Sequence, residues 1–210
     1  MPYPAGHRDR VRERIVDSAR RLFNRNGFDG VSLNAIMSDA GLTRGAFYSY
    51  FGGKSDLYAE VLGCFFTDPS FQSQWEGVEV SLTSPEAGPQ IVRAYLSRQH
   101  FENVEDSCPM VALPGDVARS DARVKGAFER VFRGMVSVLA NEVKGRGRRR
   151  EDAAMAIAAL CVGGMVVARS MGDEGFADRL RDAATRAALE LGGWRSRARK
   201  RVHRARPAGE

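Results

Sequence analysis

Along most of the chain apolar residues recur every three or four positions, and nowhere do they alternate long enough to build a useful strand. That period commits the fold to helices, whose limits are marked by glycine, proline and small polar residues. Val11, Ile15, Ala19, Leu22 and Phe23 share one face of a first helix, and Asn26-Gly27 supplies its stop. Ser32 can cap a second, which carries Leu33, Ile36 and Ala40. Gly41 ends it, and Thr43 can cap a third only two residues later, from Arg44 to about Phe51, closed by Gly52-Gly53. A fourth starts near Lys54 and carries Leu57, Val61, Leu62 and Phe65.

Farther on, the Pro-, Ser- and Gly-rich piece from Asp68 to Pro89 reads as a loop with a partial helix. Ile91 to Glu102 reads as one helix, and two prolines interrupt a short one between Cys108 and Arg119. Asp121 to Lys144 is longer, with Val124, Phe128, Val131, Phe132 and Met135 on its inner face. Gly145 to Arg150, GRGRRR, reads as an exposed turn before two closing helical stretches, Glu151–Met171 and Glu174–Arg201. The expectation is an all-α fold of about nine helices.

The chain has 210 residues, enough for a sizeable core in one domain or two small ones. Its formal charge of +6 is unevenly spread. Residues 1–54 hold nine Lys+Arg against five Asp+Glu, residues 55–192 sixteen against twenty, and residues 193–210 seven against one. A basic head, an acidic body and a basic tail make any polyanion-facing surface local. Cys64, Cys108 and Cys161 lie far apart with no CxxC, which excludes a disulfide framework and fits a reducing cytoplasm. Cys64 and Cys161 sit in apolar helical contexts and read as core. The opening MPYPAGHRDRVRER lacks the apolar core of a signal peptide. The longest uncharged apolar run, Ala153 to Ala168, has sixteen residues. A membrane span needs ~20, so a buried helix is expected. His7, His100 and His203 are isolated and no Cys/His spacing matches a ligand set, so neither metal nor cofactor is expected.

The stretch GGKS, Gly52 to Ser55, invites a phosphate-loop reading. That loop needs G-x-x-x-x-G-K-[ST] after a strand, and the required first glycine is Tyr48 here, with no strand before it. Two short helices joined tightly fit a helix-turn-helix far better. Thr43 can satisfy orphan amides while its hydroxyl reaches a phosphate. Arg44 can read guanine bidentately, and Gly45 and Ala46 let the backbone approach the bases. Phe47 and Phe51 point into a three-helix core. Tyr48 and Tyr50 offer hydroxyls on other faces, since four aromatics in five residues cannot all turn inward. Lys54, at a helix start, can grip a phosphate together with the helix-end amides.

With those residues in view, the segment from Arg12 to Leu62 resembles the DNA-binding domain of the TetR family of bacterial transcriptional regulators. The likeness runs through A-x-x-L-F-x-x-x-G-F, a capped helix, and then G-L-T-R-G-A-F-Y-x-Y-F-x-x-K. It implies a helical homodimer with an N-terminal three-helix helix-turn-helix domain, followed by a larger ligand-binding and dimerisation domain. On this chain the divisions fall at residues 1–54, 55–203 and a frayed basic tail at 204–210, with the fourth helix linking the first two. The resemblance places Arg44, Gly45, Ala46 and Tyr48 at the major groove. Thr43, Tyr50 and Lys54 would lie on phosphates, and Ser32 joins the same DNA-facing set. Ser49 replaces a bulkier polar residue, and Gly53 replaces the usual serine cap of the fourth helix.

Beyond residue 62 the resemblance implies architecture more than chemistry. An effector pocket would draw on Phe65, Phe66, Trp75, Phe101, Cys108, Met110, Phe128, Phe132 and Met135. Ala158-Ala159, Gly163-Gly164 and Ala168 allow close helix approach, and Ala159, Val162, Gly163 and Val166 are the expected dimer contacts. The stretch from Asp106 to Val124 resembles a segment in family members that carry a cysteine there, in some of which the thiol senses electrophiles or oxidants. A helix N-terminus would lower the pKa of Cys108, whereas Glu105 and Asp106 would raise it, and a plain structural cysteine remains the alternative.

The expected function is a sequence-specific transcriptional regulator in the cytoplasm, most simply a homodimeric repressor freed from a palindromic operator by a small, largely apolar effector. A small helical enzyme lacks any nucleophile–base constellation in the sequence. A non-specific architectural binder using both basic ends would not need the base-reading set at 44–48. The tail can add phosphate contacts or be a solvated helix end.

Overall fold

The computed structural model describes residues 6–64, 84 and 86–194. Phe65, Phe66, Trp75 and the basic tail from residue 195 lie outside the described residues. The order is α1 (His7–Asn26), α2 (Leu33–Asp39), α3 (Arg44–Ser49), α4 (Lys54–Cys64), α5 (Ala87–Tyr95), α6 (Arg98–Glu102), α7 (Pro109–Ala112), α8 (Pro114–Arg119), α9 (Ala122–Glu142), α10 (Arg148–Arg169) and α11 (Glu174–Leu191). No strand occurs among the described residues.

The signals at the helix ends act as expected at the N-terminal end. Gly27, at φ +71°, releases the chain from α1, and Gly41, at φ +68°, does so after α2. The Ser32 hydroxyl accepts the Ala35 N–H at 3.1 Å. α3 differs in being wound as a 3₁₀ helix, the tighter form used in short pieces. Its bonds run to the third residue back, from Ala46 N to Thr43 O (3.1 Å) and from Tyr50 N to Phe47 O (2.9 Å).

Among the described residues eleven helices stand where nine were expected, because two segments break. The run from Ile91 to Glu102 divides at Ser97, whose hydroxyl caps α6 by accepting the His100 N–H at 3.1 Å. The prolines divide Cys108–Arg119 into α7 and α8, each starting on proline where the missing N–H is harmless. Asp121 caps α9 by accepting from Arg123 and Val124 (2.9 and 3.0 Å). The closing helix stops at Leu191, short of Arg201, because Gly193 turns left-handed (φ +70°) and Trp194 folds back. The indole of Trp194 donates to the Glu142 carbonyl at 3.0 Å.

Two apolar clusters organise these helices. The first joins Val11, Ile15, Ala19 and Phe23 of α1 to Ile36 and Met37 of α2, Phe47 of α3 and Leu57, Val61 and Leu62 of α4. It also recruits Leu113, Val117, Val124 and Ala127, from residues far along the chain. The second lies among α5, α7, α9, α10 and α11, with Val131, Met135 and Leu139 of α9 facing Ile157, Cys161 and Met165 of α10. α9 therefore serves both clusters, and Phe128 packs against each. By length and composition α10 could cross a membrane, yet Ala154, Ile157, Ala158, Cys161, Met165 and Ala168 are fully buried against its neighbours.

Candidate nucleic-acid interface

α3 is mounted from beneath by apolar contact and from the side by α1. Phe47 and Phe51 are buried, with ring centroids 5.6 Å apart. Arg12 of α1 lies 4.3 Å over the Phe51 ring, donates to the Tyr50 carbonyl at 2.5 Å, and pairs with Glu60 of α4, Nε to Oε1 2.8 Å. Arg8 donates to the Ser49 carbonyl at 2.8 Å. Arg14 donates to the Ala40 carbonyl, and Ser18 Oγ to Ile36 O at 3.0 Å, so the carbonyl ends of α2 and α3 are both held from α1. Sequence reasoning missed these four positions. Their partners are mostly backbone carbonyls, which a sequence does not mark.

The outer side of this pair is open. Thr43, Arg44, Gly45 and Ser49 are exposed, and Tyr48 is 62% exposed. A side chain built at Gly45 would meet nothing within 4 Å. Ala46 and Tyr50 are half-buried against the first cluster. The Thr43 hydroxyl makes no capping bond, contrary to expectation, and its carbonyl anchors the helix instead. Ser32 is exposed at the start of α2.

Lys54 behaves differently. Its ammonium donates to the Phe28 carbonyl and lies 4.3 Å over the Phe28 ring, turned toward the α1–α2 connection. Burial lowers its pKa, opposed by the nearby Asp29 and Asp116 carboxylates. Asp116 of α8 meanwhile accepts the Phe28 N–H at 2.8 Å, so the two sides of this residue's backbone are clasped from α4 and α8.

In the body, Met110 and Met135 are buried, and Phe101, Phe128 and Phe132 are partly buried against the second cluster. The Phe128 and Phe132 rings stack with centroids 6.4 Å apart. Cys108 is fully buried, and burial pushes its thiol up to about 12, overriding the helix start at Pro109. Burial is the cause, not Glu105 and Asp106, which pair with Arg25 and Arg20 of α1. The Tyr95 phenol stands beside this thiol, and its own pKa is raised by the same burial. Cys161 is likewise pushed up to about 12 by burial, while Cys64 is half-buried.

A polar chain connects that core to α1. His100 Nδ1 lies 2.7 Å from the Tyr95 carbonyl and Nε2 lies 2.8 Å from Ser107 Oγ. Burial lowers its pKa to about 4, so the neutral ring donates from Nδ1 and accepts at Nε2. Arg169 donates to the His100, Phe101 and Asn103 carbonyls at the end of α6. Arg20, only 2% exposed, donates to Glu105 O (3.0 Å) and Asp106 (2.9 Å). Asn24 donates to Glu105 O and Ser107 O, each at 2.9 Å.

Of the expected dimer contacts, Ala159 is exposed and Gly163 half-buried, whereas Val162 and Val166 belong to or pack on the second cluster. Ala158, Gly164 and Ala168 face inward within the subunit; a side chain at Gly164 would meet Ala184 Cβ at 3.0 Å. The outward apolar positions are Met155, Ala159, Gly163 and Val167 on α10, and Phe176, Leu180, Ala183, Ala187 and Leu191 on α11. The α11 stripe escaped sequence reading because arginines and carboxylates alternate with it.

A short helix presented at a tight glycine turn, with its core side riveted and its other side bare, is a helix-turn-helix. Residues 15–61 match the model of the bacterial regulatory proteins, tetR family. The HTH-type transcriptional regulator SrpR of Pseudomonas putida is 32% identical over 94 residues, spanning 41% of this chain and 44% of SrpR. The chain thus matches less than half the length of that relative. Escherichia coli NemR in its reduced form superposes with a TM-score of 0.68 at 18% identity, covering 86% of this chain and 96% of NemR. FadR of Bacillus subtilis, in complex with stearoyl-CoA, superposes at 0.63 with 14% identity, covering 88% and 99%. The helix-turn-helix segment, residues 15–61, is that of the TetR family.

Proposed function

We propose that the protein is a sequence-specific DNA-binding transcriptional regulator acting in the cytoplasm, a homodimeric repressor released from a palindromic operator by a small-molecule effector. The bare face of α3, with Arg44 exposed and Gly45 open on every side, carries this reading. Arg44, Gly45, Ala46 and Tyr48 would meet base edges, and Ser32, Thr43 and Tyr50 would meet phosphates. Lys54 would reach a phosphate by leaving the Phe28 carbonyl. Residues 1–54 form the DNA-reading unit and 55–203 the effector and dimer unit, although the first cluster borrows from α7, α8 and α9. The outward stripes of α10 and α11 supply an apolar face on which a second copy would pack.

Within the second cluster, Phe101, Met110, Phe128, Phe132 and Met135 would line an apolar effector site, with Cys108 in its wall. FadR, of the same fold, holds stearoyl-CoA, which supports an apolar ligand here. A thiol buried beside Tyr95 is held neutral, so sensing at Cys108 would require the 103–108 segment to open first.

A mobility-shift titration on DNA flanking the protein's own gene, with random competitor, tests the core claim. Arg44→Ala should erode discrimination among operators by one to two orders of magnitude, each bidentate contact being worth ~1–3 kcal/mol. Lys54→Ala should weaken all sequences alike and flatten the salt slope by about one unit. Full affinity in both variants would sink the assignment of α3.

A further inference from the structure

At the far end of α9 the chain gathers positive charge that neither the fold nor the proposed operator contact uses. Lys144, Arg146, Arg148, Arg149 and Arg150 place five cations in seven residues without a carboxylate among them. The first four are exposed, and their nearest acidic contact is a loose one, Arg148 to Asp152 at 3.9 Å with Arg148 92% exposed. Arg148, Arg149 and Arg150 occupy the first turn of α10, where the helix macrodipole disfavours cations. Stability alone would select carboxylates there.

A second feature converges on the same place. The Lys144 N–H donates to the Gly192 carbonyl at 3.3 Å, and Trp194 bonds to Glu142, fastening the end of α11 beside this turn. The end of α11 and the basic turn are therefore fastened side by side. That end lies about 22 Å from the nearest α9 residue of the first cluster, the rise of α9 from Ala127 to Glu142 at 1.5 Å per residue.

We propose that this end is a second polyanion-binding surface, fitted to the phosphate backbone of a second DNA duplex, so that the protein can tether two DNA segments. Duplex DNA is favoured over single strands because residues 144–150 carry no aromatic on which bases could stack. It is favoured over a lipid surface because no exposed apolar side chain stands among those cations to enter the acyl layer. Arginine forks suit phosphate geometry, and such contact is read by charge, not by sequence.

The test uses the full chain with two sets of short random-sequence duplexes, one carrying a donor dye and the other an acceptor. Wild-type protein should bring the dyes into energy transfer at low salt. The variant Arg146→Glu/Arg148→Glu/Arg149→Glu should lose that transfer while still shifting a single promoter duplex. Because carboxylates suit the first turn of a helix, this variant should melt no lower than wild type, which separates lost contact from lost fold. Transfer that persists in the triple variant, or never appears in wild type, overturns the proposal. So does turn-dependent capture by phosphatidylserine vesicles without capture of DNA. The inference is separable from the operator reading: Arg44→Ala should erode the promoter preference and leave energy transfer between random duplexes intact.

Discussion

His100 and Arg20 show what single buried polar residues contribute to this fold. His100 is neutral, its pKa lowered by burial from about 6.5 to about 4. Between those values the unfolded chain binds the proton and the folded chain does not, so stability is full above about pH 6.5 and falls as pH drops toward 4, by at most about 1.4 kcal/mol per pH unit. Denaturant titrations at pH 7 and pH 5 should show this loss, and His100→Gln should flatten it; an unchanged pH profile in the variant would assign the loss elsewhere. Truncating Arg20 leaves the Asp106 carboxylate without its donor and takes one donor each from Asp17, which keeps Arg21, and the Glu105 carbonyl, which keeps Asn24. Arg20→Ala should lower stability by about 2 kcal/mol and speed alkylation of Cys108 in a Cys64→Ser/Cys161→Ala background. Neither role was legible in the sequence, because a lone histidine and one arginine among several carry no periodic signal. Their partners lie on segments that only the folded chain brings together.

Elements were far more legible than contacts. Ser32, Gly27, Gly41 and the two prolines mark their boundaries through chemistry local to each residue, and the structure obeys them. One exception was set by tertiary packing, α11 stopping at Leu191 because Trp194 finds Glu142; the other was a local cap, Ser97, which breaks one expected helix into two. Helix faces were read less well: the small residues of α10 divide between two partners. Gly164 packs on Ala184 and Leu96, whereas Gly163 meets nothing within 4 Å. Gly164→Val should therefore destabilise the subunit by about 1–3 kcal/mol through overpacking. Gly163→Arg should leave the melting of a subunit unchanged and shift the protein toward monomer in analytical ultracentrifugation. A stable dimer in the Gly163 variant would move the interface off this face.

For the whole molecule, the all-α class and the position of the helix-turn-helix were visible because both follow from repeating local patterns. The way the two clusters share α9 was not, since nothing in its sequence distinguishes Val124 and Ala127, facing one cluster, from Val131 and Met135, facing the other. That sharing has a mechanical consequence. A continuous helix with its two halves embedded in different cores is a lever without a joint, and it cannot bend cheaply at the point where they meet. Over an arm of about 30 Å, each degree of tilt at one end carries the other through about half an ångström. A rearrangement of a few degrees around Met135 would displace the helices that present Arg44 by more than the tolerance of a hydrogen bond to a base edge.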